Sequence, residues 1–155
     1  MTLSPPPGLH VRPLPGSDWP ALAAAFDDGT FEQTRTYGSA AAARIGGKLQ
    51  CLAVEGAEGP LAAAAGRLRL VPGLGRGILW LPSGPLICPS AAPPPDDATL
   101  AAILRGLRLH VCGQQGHVLR LRLSGTAIPD PQHLRAVMAT AGFRPHAARP
   151  PYRSV

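Results

Sequence analysis

Between residues 48 and 87 apolar positions recur with a period of two. The segments are "LQCLAVE" (49–55), "GPLAAAAGRLRLV" (59–71) and "GRGILWLPSGPLI" (75–87). A period of two sends successive side chains to opposite faces of a pleated strand. Glu58-Gly59 and "PGLG" supply the turns between them. Three strands with short connections predict an antiparallel meander.

The period changes to that of a helix on either side. Residues 8–14 predict a short first strand, with Pro13 at its end or on an edge. In "GSDWPALAAAFDDG" (16–29), Trp19, Leu22 and Phe26 share one helical face. Ser17 or Asp18 can cap this helix, Pro20 suits its first turn and Gly29 ends it. Its apolar face reads as core packing. A second helix is predicted over 33–45, with Tyr37, Ala41 and Ile45 in one line, closed by Gly46-Gly47. Its alanines allow a close approach to a sheet. Downstream, Asp96 or Asp97 caps a longer helix to about Gln114, with Leu100, Ile103, Leu104, Leu107 and Val111 on one face. "HVLRLRLSG" (117–125) alternates leucine with Arg120 and Arg122, as a strand does. Asp130-Pro131 opens a last helix through Leu134, Val137, Met138 and Ala141, capped by Gly142, and residues from Phe143 onward predict a final strand. The order β-α-α-β-β-β-α-β-α-β predicts an α/β fold, a mixed α+β sheet with packed helices. One domain over residues 1–155 fits the length.

Composition adds limits. Apolar residues make up 45% and charged residues 15%, which is globular rather than disordered. Prolines and glycines cluster in "SPPPG", "PSAAPPPDD" and "RPHAARPPY", which read as connectors. The formal charge is +6, carried by arginine except for Lys48. Such a balance favours anionic partners. GC-rich coding also enriches Arg, Ala, Gly and Pro together, so charge alone assigns no partner. Cys51, Cys88 and Cys112 are odd in number and lack CxxC spacing. That predicts neither a disulfide framework nor a thiolate zinc site, and fits a reducing cytoplasm. No signal peptide and no apolar run long enough to span a bilayer are visible.

The candidate chemistry is sparse. His110 and Cys112 are two apart on a helix, so they face apart. No HxH or HExxH pairing exists, and no metal site is expected. G-x-S-x-G is absent. The acids Asp18, Asp27, Asp28, Asp96, Asp97 and Asp130 fall at caps and turns, and Glu32 and Glu55 read as solvated surface positions. "PGLGRG" (72–77) runs into a strand, not a helix, so it reads as a hairpin turn with Arg76 beside it as an anion contact. Arg67 and Arg69 alternate on one strand, Arg120 and Arg122 on another. If these strands are neighbours, four guanidiniums share a face suited to a carboxylate or phosphate. The alternative is a solvated face partly covered by arginine stems.

One resemblance draws these features together. "FEQTRTYGSAAAARIGG" (31–47) resembles the F-x-Q-S/T-x-x-W/Y-G-x-A segment of FemAB-like aminoacyltransferases of the peptidoglycan bridge-forming type, in the GNAT acyltransferase superfamily. "GRGILWLPSGPLI", with Gly84-Pro85-Leu86 at its centre, resembles that family's G-P-L/V motif, and "AGFRP" resembles its closing segment. The resemblance covers 19–155. It implies a GNAT-like N-acyltransferase fold, here the N-terminal half of a two-domain protein. It also implies transfer of an amino acid from aminoacyl-tRNA to the amine of a cell-wall (peptidoglycan) precursor, with no metal and no cofactor beyond the co-substrate. Two alternatives stand beside this: an acyl-CoA-dependent N-acetyltransferase, and a non-catalytic half-domain or remnant needing a partner chain such as a second GNAT-like half. The motif match and side-chain chemistry together mark Gln33, Tyr37, Arg76 and the backbone of Gly84 and Pro85 as substrate contacts. They name no catalytic base. Ala41 stands where many members carry a lysine, leaving Arg35 or Arg44 to replace it. The R/Q-x-x-G-x-G/A loop that binds acyl-CoA in ordinary GNAT enzymes is not cleanly present.

Overall fold

A computed structural model describes residues 7–124 and 128–146. The strands are β1 (His10–Leu14), β2 (Lys48–Gly56), β3 (Gly59–Leu70), β4 (Gly77–Leu81) and β5 (Val118–Leu121), and the helices are α1 (Trp19–Ala23), α2 (Arg35–Arg44), α3 (Asp97–Arg108) and α4 (Pro131–Thr140). The sheet order is β1-β2-β3-β4-β5. β1 to β4 pair antiparallel, whereas β4 and β5 run parallel. A parallel neighbour requires a crossover, which α3 provides.

The predicted meander is present, but its third strand stops at Leu81 rather than near Ile87. α1 is shorter than its pattern suggested, and Asp18 makes no side-chain cap bond. The predicted helix over 33–45 begins at Arg35, because Phe31–Gln33 forms a separate 3-10 turn and Thr34 caps α2. The long helix does reach Gln114, but its last stretch, Leu109–Gln114, widens into a π-helix. The final strand expected from Phe143 is not formed over 143–146, and 147–155 lie outside the described residues.

Two apolar layers sandwich the sheet. Leu52, Val54, Leu79 and Leu81 face α3 and α4, which contribute Leu100, Ile103, Leu104, Leu107, Val137 and Ala141. Cys51, Ala63 and Ala65 face the other way, against Trp19, Phe26 and Leu86. The run Ala62–Ala65 puts small side chains on both faces, so both layers approach β3 closely. Gly38 does the same for α2: a Cβ there would come within 2.8 Å of the Leu49 side chain.

The irregular feature is the end of β4. Arg67 pairs with Trp80 across the β3–β4 ladder. Pairing resumes where Ala63 and Leu86 exchange backbone bonds of 3.1 and 2.7 Å, so β4 carries two residues more than β3 over this interval. The surplus is accommodated in 82–85, which contains Ser83 at φ 52° and a cis Gly84–Pro85 bond. Here the amide of Gln33 replaces the missing ladder. Its Nε2 donates to the carbonyls of Pro82 and of Ala65 (3.3 Å), and its Oε1 accepts from the Ala65 N–H (3.3 Å). Trp19 Nε1 donates to the Gln33 carbonyl at 2.6 Å. Beyond the irregularity, the Asp28 carboxylate accepts from the Ile87 and Cys88 N–H groups at 2.9 and 3.1 Å.

These contacts make the Gln33 amide a test of the fold. Gln33 is only 3% exposed, and removing its amide strands buried backbone groups at about 1–3 kcal/mol each, partly relieved by water. Gln33→Ala is therefore expected to cost roughly 2–4 kcal/mol and to lower Tm by roughly 5–15 °C in thermal unfolding. Gln33→Glu, which presents an acceptor where two carbonyls need a donor, is expected to cost at least as much; a wild-type melting curve for either variant refutes the clamp. Acid supplies a separate test. The Asp96 carboxyl is held below its ordinary value by hydrogen bonds from Thr99, and Glu55 by its bond from Arg12. Depressed folded values stabilise the protein above the ordinary carboxylate range, and that stabilisation is lost as pH falls through the lowered values. Denaturant titrations from pH 6 to 2 should therefore show a falling limb that is shallower in Asp96→Asn.

Candidate functional site

Alternation along three adjacent strands builds one face. Arg67, Trp80 and Arg120 lie side by side across β3, β4 and β5, with Arg69, Ile78 and Val118 in the row beside them. Arg122 follows Arg120 by one full strand period. The four arginines marked from sequence thus share a face, although β4 separates the two strands that carry them. The rings insulate the charges from one another: the Arg120 guanidinium lies 5.6 Å from the Trp80 ring centre, and Arg67 lies 5.5 Å from that of Tyr37. Tyr37 in turn meets Phe31 edge-on at 4.9 Å.

Ile45, at the end of α2, closes one side of a groove of about 380 Å³ whose floor includes Arg67, Arg69, Ile78 and Trp80. No carboxylate lines it. Among the described residues Arg67, Arg69 and Arg120 form no ion pair, and the Arg67 Nε is buried without a hydrogen-bond partner. Uncompensated guanidiniums beside flat rings suit a ligand that carries both anionic groups and a planar ring.

At the end of this face, beside the distorted segment 82–85, three polar side chains meet. Arg122 Nη2 donates to Glu32 Oε2 at 2.8 Å, and the Ser83 hydroxyl donates to the same oxygen. Glu32 is 20% exposed against 61% for Arg122, so the carboxylate is drawn inward. The expectation that Glu32 is a free solvated residue is therefore corrected. The signal for it was present in two unconnected places: an acid inside the "FEQ" turn and an arginine on the polar side of "LRLRL".

The residues marked from sequence divide into three positions. Gln33, Gly84 and Pro85 come together: a Cβ on Gly84 would lie 3.1 Å from Gln33 Nε2. Both polar atoms of the Gln33 amide are engaged by backbone, so this residue braces the segment. It also stands in the turn before α2 rather than on that helix beside Tyr37. Tyr37 packs its ring over Arg67, a residue that lines the groove. Arg76 precedes β4 and so sits at the opposite end of that strand from Gly84, near Gly116.

Two other features bear on chemistry. The N-terminus of α3 is occupied by its own chain: Asp96 Oδ1 accepts from the Thr99 N–H at 2.8 Å, and Asp97 in the first turn pairs with His133 at 2.8 Å. A helix N-terminus ordinarily attracts anions; here two carboxylates oppose one. Two of the thiols, those of Cys51 and Cys88, are also poor nucleophiles. Burial pushes Cys51 up to about 11, against the pull of Arg35, and burial followed by Asp28 and Asp27 raises Cys88. Among the described residues no group of three or more His, Cys, Asp or Glu side chains could hold a metal ion, and no helix is long and apolar enough to cross a membrane.

No protein-family model matches the chain, and no curated protein matches it significantly. Solved structures do. A possible acetyltransferase from Clostridium difficile 630 superimposes with a TM-score of 0.57 at 12% identity, over 95% of this chain and 97% of that one. TTHA1254 from Thermus thermophilus gives 0.51 at 16% identity, over 94% and 97%. A predicted acetyltransferase with acetyl-CoA from Clostridium acetobutylicum gives 0.50 at 13%, over 94% and 96%. The mixed five-stranded sheet is that of the GNAT acetyltransferase fold.

Trp80 is on this face, whereas Trp19 is the buried first residue of α1, so fluorescence can separate them. Titration with ADP, a planar ring with two phosphates, is expected to change Trp80 emission, and Trp80→Phe to abolish the change. Arg67→Ala or Arg120→Ala should weaken binding by about tenfold, the worth of one charge-assisted hydrogen bond. Unchanged affinity in both variants would exclude this groove.

Proposed function

We propose that the chain is an N-acyltransferase domain that takes its acyl group from an acyl-CoA and delivers it to an amine. The observation that carries this reading is the uncompensated Arg67–Trp80–Arg120 row, which crosses β3, β4 and β5 just before the distorted end of β4. Coenzyme A offers the complementary groups, an adenine ring and phosphates. The acetyltransferase fold supports the same class, as does the neighbour whose structure is described with acetyl-CoA. The phosphates would rest on Arg67, Arg69 and Arg120, because Asp96 and Asp97 occupy the N-terminus of α3.

The reaction is a direct displacement. The amine nitrogen attacks the thioester carbonyl carbon, the N–C bond forms, the C–S bond breaks, and coenzyme A leaves as the thiol once a proton has moved to sulfur. Catalysis of such a step rests on holding the two substrates in line and on polarising the carbonyl.

A second reading is aminoacyl transfer from aminoacyl-tRNA to a peptidoglycan precursor, with or without a second GNAT-like half. One observation favours it. The two segments that resemble the FemAB-like family, 31–47 and 75–87, are distant in sequence yet meet as one unit through the Gln33 amide and Gly84. Aminoacyl-tRNA also presents adenosine and phosphates, so the same groove serves either donor.

Titration calorimetry separates the readings. Acetyl-CoA is expected to bind with a micromolar Kd, about 8 kcal/mol, and Arg67→Ala to weaken it. Binding of aminoacyl-tRNA without binding of acetyl-CoA would move the assignment to the second reading, and binding of neither would refute both.

A further inference from the structure

The acyl transfer proposed above needs a group that removes the proton of the acceptor amine, and we propose that Glu32 is that group. The inference rests on the acyltransferase reading and adds a named base to it.

Three observations place Glu32 in this role. Both donors that hold its carboxylate, Ser83 Oγ and Arg122 Nη2, converge on Oε2. Among the described residues no hydrogen bond is made to Oε1. A carboxylate held on one oxygen only is fixed in orientation and keeps the other for a ligand N–H. Second, Arg122 lies two residues beyond Arg120, just past the end of β5, so the backbone that carries the partner of Glu32 is displaced about 7 Å along the strand from the Arg67–Trp80–Arg120 row. The Ser83–Arg122–Glu32 cluster thus stands beside the row that would hold the anionic donor, past its last arginine. Third, Ser83 holds φ 52°, which is unusual for a residue with a side chain. Strain of this kind persists only where the surroundings impose it, and it concentrates at sites that do chemistry. The Gln33 amide holds the carbonyl of Pro82, the residue before Ser83.

The ammonium form of the acceptor first gives a proton to Glu32 Oε1; the neutral nitrogen then bonds to the carbonyl carbon, the C–S bond breaks, and the surplus N–H proton passes to the departing sulfur, which leaves as the thiol. Arg122 and Ser83 are positioning residues: they keep the carboxylate aimed. Tyr37, against the neighbouring Phe31, and Arg67 beyond it are the next titratable groups on that side.

The test uses initial rates with acetyl-CoA and two amines, ethylamine and the much less basic trifluoroethylamine. Glu32→Gln is expected to lower kcat/KM for ethylamine by roughly 100-fold or more, the ordinary worth of a general base, and to remove the acid limb of its pH profile. Trifluoroethylamine, which arrives already deprotonated, should recover most of the rate, and the calorimetric Kd for acetyl-CoA should stay at the wild-type value. Ser83→Gly keeps the positive φ at no steric cost and removes one donor from the carboxylate. Its kcat/KM for ethylamine should fall, and trifluoroethylamine should recover most of the loss, because a carboxylate that is aimed less well takes the proton less often. Wild-type kcat/KM for ethylamine in a folded Glu32→Gln protein would overturn the role of Glu32 alone, as would a failure of trifluoroethylamine to recover the Glu32→Gln rate. If the wild-type chain neither binds acetyl-CoA nor acylates either amine, the acyltransferase reading fails and the inference falls with it.

Discussion

The local order of this site depends on one side-chain amide. β3 and β4 are out of step by two residues between Trp80 and Leu86, and a sheet cannot leave that mismatch unpaired in its interior. Gln33 supplies a donor and an acceptor in the geometry of a peptide group, so the ladder closes through a side chain. Glutamine suits this job because its amide is chemically a backbone unit on a flexible stem. Trp19 fixes the carbonyl of the same residue, which ties α1, the 3-10 turn and the strand end into one unit. Ser83, Gly84 and the Glu32–Arg122 pair all take their positions from it.

A second constraint is thickness. β3 is covered on both faces, and its four consecutive alanines leave little side-chain volume on either. The helices therefore sit close to the sheet at that strand, while Arg67 and Arg69, farther along β3, pass beyond the cover of α1. The change from alanine to arginine along one strand marks where the core ends and the open face begins.

Much of the layout was legible in the sequence. The period of two from Lys48 onward located three strands, the leucine spacing located α3, and alternation in "LRLRL" put Arg120 and Arg122 opposite the core. The bulge was not legible, because "ILWL" is apolar throughout and the Pro-Ser-Gly-Pro that follows it marks an interruption without saying how many residues it adds; composition reports where a strand is disturbed and is silent on register. Gln33 stood out as a motif residue, but whether an amide meets a ligand or a backbone is decided by segments far away in sequence. Glu32 was passed over for the same reason, since its partners lie 51 and 90 positions along the chain. A mixed sheet was expected, but which strand runs parallel and the shared face of four arginines both needed the strand order to be known.

The occupied N-terminus of α3 has a further consequence. A loop that cradles phosphate with peptide N–H groups recognises its ligand with atoms every residue possesses, so point mutation erodes it slowly. On this chain Asp96 and Asp97 occupy that helix end, and the unpaired guanidiniums on the open face are side chains, not backbone. A feature written in side chains is open to revision: a single codon can remove it or strengthen it. The occupied helix end thus leaves the positive character of this face to a few arginines rather than to the backbone of its fold.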